Sequence, residues 1–193
     1  MSETHDYKGL TIEIYNDHNP QNPRKEWDNL GTFAFFHGDF TNESDLNPGD
    51  YNSFTEMQEY IEKTMKAICV PVYIYDHSGQ TIATTPFSCP LDSGQLGFAF
   101  ITREKVREEY GWKRITQKRL EQIEGYLTGE VETYDQYIRG DVFGYVIKDG
   151  EGEELDSHGE FYGDEYCLKE AKRSADYYAN IKEEKANVLA YAI

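Results

Sequence analysis

Basic residues are scarce in this chain: 19 Lys and Arg stand against 36 Asp and Glu, a formal net charge of −17. A field of that sign repels nucleic acid and anionic membranes and attracts basic partners. Direct nucleic-acid binding and membrane association are therefore not expected. Cysteine is equally sparse. Cys69, Cys89 and Cys167 make an odd set of three, too few for a disulfide framework and in keeping with a reducing compartment. No run approaches the roughly 18–20 apolar residues that a membrane-spanning helix needs. The polar start Met1–Lys8 has no apolar stretch of the kind a secretory signal carries. A soluble, cytoplasmic protein is expected. Glycine-rich nucleotide signatures of the G-x-x-x-x-G-K and G-x-G-x-x-G types are absent, which leaves phosphate cradling unsupported. No Cys-x2-Cys or His-x3-His pair fixes a metal geometry. No cofactor is expected.

What is present is aromatic. Hydrophobic content is only 38%, but 16 Tyr and 10 Phe supply large buried area per side chain. A chain of 193 residues can bury a proper core and is read as one acidic domain over 1–193. The acidity is no appended tail. Residues 1–102 carry a net −10 and residues 120–193 a net −11, while Arg103–Arg119 carries a net +4.

Residues 69–101 organise the rest. Val70–Tyr75, Thr81–Thr84 and Leu96–Ile101 are β-branched and aromatic runs separated by turn residues, which predicts three strands of one sheet. Asp76-His77-Ser78-Gly79 reads as a tight connection. Thr85–Gln95 holds Pro86, Cys89, Pro90, Asp92, Ser93 and Gly94, too much special chemistry for a passive hairpin loop. Upstream, Leu10–Tyr15 and Gly31–His37 read as strands. Ser53–Ile68 reads as a helix opened by a Ser53/Glu56 capping box. Downstream, Thr102 and Gly111 bracket a helix ending at Tyr110. Thr116 opens another, with Leu120, Ile123, Leu127, Val131, Tyr134 and Ile138 as its apolar stripe and a break expected near Gly129. Asp141–Lys148 and Leu155–Phe161 read as strands, and Asp164–Asn187 as the last helix, with Leu168, Ala171, Ala175, Tyr178 and Ile181 inward. The pattern predicts an α+β fold, a mostly antiparallel sheet centred on 70–101 with four or five helices packed on it.

Two kinds of chemistry compete. In the first, Cys89 is a nucleophile, with His77 and Asp92 nearby in sequence. The two connections follow opposite ends of the Thr81–Thr84 strand, which predicts roughly 10–13 Å between them at about 3.3 Å per residue, and no oxyanion-hole element can be named. A metal set drawn from His77, Cys89, Asp92, His37 or His158 has ligand types that zinc accepts. His37 itself is read as structural. In the second, function lies in a binding surface. Glu121, Glu124, Glu130, Glu132 and Asp135 on one helix, and Glu165, Glu170, Asp176, Glu183 and Glu184 on another, space carboxylates as a nucleic acid spaces phosphates. A hydrophobic alternative uses Phe87 and Leu91, beside Asp92, in the 85–94 loop.

The stretch Tyr-Asp-His-Ser-Gly-x-Thr-Ile-x-Thr-x-Pro-Phe-Ser-Cys-Pro-x-Asp-Ser-Gly-Gln at Tyr75–Gln95 resembles a family of small proteins of phages and bacterial mobile elements. So do Asn19-Pro20…Asn22-Pro23-Arg24 with Trp27-Asp28-Asn29-Leu30-Gly31-Thr32, and Glu132-Thr133-Tyr134-Asp135-Gln136-Tyr137. Leu91 stands where relatives are expected to carry Trp. The resemblance brings a genomic setting and no reaction. It implies a protein of the host cytoplasm that inhibits a nucleic-acid-processing defence system, of anti-CRISPR or antirestriction type, by nucleic-acid mimicry. The partner would be a host protein with a basic groove. The alternative is a small cysteine- or metal-dependent enzyme using the His77/Cys89/Asp92 region.

Overall fold

The computed structural model describes residues 3–190, with side chains through Lys182. The fold is α+β, as the sequence predicts, but its strands form two antiparallel sheets of four rather than one. The chain divides into two compact units, residues 1–21 with 140–193, and residues 22–139. The sequence reads as one domain over 1–193; in the structure each of the two units has its own sheet and core.

In the first unit, strands β1 (Glu3–Tyr7) and β2 (Leu10–Asn16) form a hairpin whose turn residues Lys8 and Gly9 both have positive φ, the geometry that matches the twist of the flanking strands. Strand β2 alternates strictly: Leu10, Ile12 and Ile14 are buried and Thr11, Glu13 and Tyr15 are not. It pairs with β7 (Val142–Lys148), which pairs in turn with β8 (Glu154–Tyr162), giving the order β1-β2-β7-β8. Helix α5 (Asp164–Ala190) covers this sheet with Cys167, Ala171, Ala175 and Ala179. Small side chains four apart lie on one helix face, so the helix backbone packs close to Ile12 and Ile147. The expected inward residues Leu168 and Tyr178 are only partly buried.

The second unit has three layers. After a short helix α1 (Pro23–Glu26), strands β3 (Thr32–Phe35), β4 (Ala67–Asp76), β5 (Gln80–Ala83) and β6 (Ser93–Thr102) make a sheet of order β3-β6-β4-β5. Helix α4 (Gln117–Arg139) lays Ile123, Leu127 and Val131 on one face, against Phe33, Val72 and Ile101. Helix α2 (Phe54–Glu59), continued by a π-helical turn over Tyr60–Thr64, lays Met57 and Ile61 on the other, against Ala34 and Phe98. Cover on both faces explains why β6 is an unbroken apolar run. Gly97 pairs with Phe35 of β3, and a Cβ there would lie 1.9 Å from the Ala34 carbonyl oxygen, so only glycine fits.

Two of the predicted helix features change, the end of the helix opened by Ser53 and the break near Gly129. The helix expected to reach Ile68 ends at Thr64, because Lys66 takes a positive φ and turns the chain into β4 at Ala67. Its opening is a variant of the capping box: Ser53 Oγ accepts the Glu56 N–H at 3.2 Å, and Glu56 reaches back to the N–H of Asn52 at 2.7 Å. Pro71 lies mid-strand, on the stretch of β4 that β5, pairing only from Tyr73, leaves uncovered. Helix α3 (Arg103–Tyr110) follows its caps, with Thr102 accepting from Lys105 and Gly111 left-handed. Helix α4 runs unbroken through Gly125 and Gly129.

Candidate functional site

The Cys89/His77/Asp92 set lies at one end of the second unit's sheet. Strand β4 ends at Asp76, and the Asp76 N–H donates to the Asp92 carbonyl at 2.8 Å. This bond draws the 84–92 loop back along β5 to the end from which it set out. Asp92 Oδ2 therefore stands 3.5 Å from His77 Nδ1 and accepts from Cys89 Sγ at 3.4 Å. The separation of 10–13 Å expected from strand length is wrong, because the loop doubles back instead of continuing past the far end of β5.

The order of the three groups decides what they can do. A cysteine nucleophile needs an imidazole beside the thiol and a carboxylate behind the imidazole. Here the carboxylate stands between thiol and imidazole, and the thiol hydrogen bond is spent on Asp92. His77 is well exposed, its side chain at 64% of full accessibility. The loop is held by its own bonds, the Ser93 hydroxyl donating to the Cys89 carbonyl, and it is shorter than predicted, since Ser93–Gln95 already pair with β4. Phe87 is half-buried on the Tyr75 ring at 5.9 Å, whereas Leu91 is 92% exposed.

Beside this trio, His37, two residues past the end of β3, faces two carboxylates, Asp39 at 3.7 Å through Nδ1 and Asp76 at 3.8 Å through Nε2. Ligand atoms of the three lie within 4.8 Å of one another. An imidazole with two carboxylates is a donor set that zinc or manganese accepts. The amide of Gln80 already bridges the carboxylates, donating to Asp39 at 2.7 Å and to Asp76 at 3.3 Å. His158, also considered as a ligand, sits in β8 of the first unit, near Tyr145 and Phe161.

The five α4 carboxylates divide into two kinds. Glu121 and Glu132 are exposed and Glu124 is half-buried. Burial, then the neighbouring charges of Glu121 and Glu62, hold the Glu124 carboxyl above its ordinary range. Glu130 and Asp135 are structural. Glu130 accepts from the N–H of Leu30 at 2.6 Å and from Arg24 at 2.8 Å. The Arg24 guanidinium also binds both carboxylate oxygens of Glu43 and lies 3.7 Å over the Phe33 ring, with only 6% of its side chain accessible. Asp135 is 8% exposed and accepts from the Thr81 hydroxyl and the Ile82 N–H, each at 2.7 Å. On α5, Glu165 is exposed and Asp176 is held by Lys8 at 2.7 Å and Tyr7 at 3.1 Å. The side chains of Glu183 and Glu184 lie outside the described residues.

No family model, curated protein or solved structure matches this chain. Among the described residues no helix is long and apolar enough to cross a membrane. The sequence did hold a signal for the structural role of Asp135. It follows Val131 by four residues on the inward stripe of α4, where a solvated carboxylate has no place. His37, Asp39 and Asp76 carry no such signal, since only strand pairing joins segments so far apart in sequence.

Proposed function

We propose that the protein is an acidic binding protein that occupies the basic nucleic-acid groove of another protein. In the phage or mobile-element setting that the resemblance implies, that protein is a restriction or CRISPR complex of the host. The distribution of charge carries the reading. Residues 1–21 with 140–193 hold 17 acidic against seven basic residues, and residues 22–139 hold 19 against 12. Both units are therefore net negative, by −10 and −7, and the shorter one is the more strongly so. The turn joining β7 to β8 presents Glu151 and Glu153, with Glu154 at the first position of β8, all exposed. With Glu130 and Asp135 committed to the fold, Glu121, Glu124 and Glu132 remain on α4 for a partner. A groove that binds nucleic acid through phosphate neutralisation meets such a surface as a competing polyanion.

The test is displacement. Purified restriction and CRISPR effector complexes are loaded with labelled DNA and challenged with the protein at rising salt. The reading predicts that DNA is released, that potency falls at least about tenfold between roughly 50 and 200 mM salt, and that Glu151, Glu153 and Glu154 changed together to Lys abolish release. Displacement indifferent to salt and to both that triple change and a Glu121, Glu124 and Glu132 triple reversal would overturn it.

A further inference from the structure

A groove of about 410 Å³ opens in the second unit between α4, the end of α3 and the segment after α1. Its walls are aromatic. Trp27 and Tyr126 are 42% and 44% exposed, and Tyr110 stands beside them. The Tyr110 and Tyr126 rings are parallel within 1° with centroids 6.3 Å apart. Gly125 and Gly129, one helical turn apart, lie along α4. A Cβ at either position would meet nothing within 4 Å, so packing does not require glycine there. Both cost α4 helix propensity, and what they provide is a bare floor.

The charged groups lining the groove are Asp28 and Glu130, with no basic side chain among them. Two cations stand close by and are already engaged. Lys105 binds the carbonyls of Asn29 and Leu30, and Arg24 is held by Glu130 and Glu43. Burial, then the charges of Tyr126, Glu109 and Glu130, raise the Tyr110 phenol. The same aromatic stack also shows what it accepts. Trp112 stacks on Tyr110 at 4.5 Å, and the Arg119 guanidinium lies 4.5 Å over Trp112.

We propose that this groove receives an arginine side chain of a basic protein partner, its guanidinium stacked against Trp27 and Tyr126 and paired with Asp28 at the rim. This rests on the reading of the protein as an acidic binder of basic surfaces. It goes further by separating arginine from lysine. A planar guanidinium stacks on aromatic faces and is more weakly hydrated than an ammonium, so it enters such a groove at lower cost.

The experiment titrates the full chain with fluorescent octa-arginine and octalysine peptides, equal in charge, following anisotropy and the Trp27 indole N–H resonance. The expected preference for arginine is roughly tenfold, the range that cation–aromatic contacts supply, with the Trp27 signal shifting on addition of octa-arginine. Gly129→Leu fills the floor, raises helix propensity and should melt no lower than the parent, yet it should bring the two peptides to equal affinity. Trp27→Ala should do the same. Equal binding of both peptides by the parent, or a preference that survives Gly129→Leu in a folded protein, overturns the groove while leaving the acidic surface standing. Salt-insensitive binding of octa-arginine alone overturns the acidic surface and leaves the groove. Binding of neither peptide at low salt overturns both.

Discussion

Asp135 accepts the backbone N–H of Ile82 at 2.7 Å, a bond from near the C-terminal end of a 23-residue helix to the edge strand of a sheet. The same oxygen takes the Thr81 hydroxyl, and the other lies 3.3 Å from Arg139. Deleting this acceptor leaves a buried N–H without a partner, which costs about 1–3 kcal/mol, with more for a charged acceptor. Asp135→Ala should therefore lower stability by roughly 2–3 kcal/mol in urea denaturation, and Asp135→Asn, which keeps one acceptor, by less. A loss below about 0.5 kcal/mol, the scale of neutral surface changes, would return Asp135 to the solvated face.

Arg24 is the second such tie. Burial works against its charge, but the hydrogen bonds and field of Glu43 and Glu130 outweigh it and raise the guanidinium pKa. Breaking a buried pair by removing one partner costs about 3–5 kcal/mol, so Arg24→Ala should unfold at much lower urea than the parent. Arg24→Lys should recover only part of the loss, because an ammonium cannot bind Glu43 through two parallel bonds while reaching Glu130 and the Gly31 carbonyl. Full stability in Arg24→Lys would show that charge alone matters there.

The elements legible in the sequence are those whose ends carry their own chemistry. Thr102 and Gly111 bracket α3 as predicted, and the run Leu96–Ile101 reads as a buried strand because a helix layer covers each face. Strand β1 escaped because Glu3–Tyr7 is a polar edge strand, and its turn uses Lys8 where Asn or Asp is the usual signal. The sequence carries this helix on to Ile68 because Thr64, Met65 and Ile68 continue a helical spacing that the positive φ of Lys66 interrupts. The site was legible in its residue types and not in its distances. The bond from Asp76 to the Asp92 carbonyl, between backbone groups that every residue has, brings Cys89 and His77 to one carboxylate.

The three thiols should differ in reactivity. Burial, then the charge of Glu62, raises Cys69, and burial, then Asp164, pushes Cys167 up to about 12. Thiolates, not thiols, react with alkylating agents, so both should be inert near pH 7.5 in the folded protein. Cys89, partly exposed in its loop, should take up iodoacetamide alone, as peptide mass mapping would show. Comparable labelling of Cys167 under native conditions would mean that α5 does not stay packed on the β1-β2-β7-β8 sheet.

Two helix carboxylates should respond to pH with opposite signs. Glu124 has its folded pKa raised by burial and by Glu121 and Glu62, so ionisation weakens the fold at neutral pH. Glu124→Gln should raise the melting temperature at pH 7, and the gain should fade as pH falls through the raised value towards the ordinary carboxylate pKa of about 4.3. Glu56 has its pKa lowered by hydrogen bonds from the Asn52 backbone and side chain. Its stabilising charge is fully present above the unfolded value and is lost as pH falls through the folded one. Glu56→Gln should therefore lower the melting temperature at pH 7, with the difference closing only in stronger acid. Glutamine and glutamate have similar helix propensities, so the contrast reports charge rather than backbone preference. Calorimetry on the two variants between pH 3 and pH 7 checks it. A lower melting temperature for Glu124→Gln at pH 7 would show that neither burial nor the charges of Glu121 and Glu62 disfavour the Glu124 carboxylate.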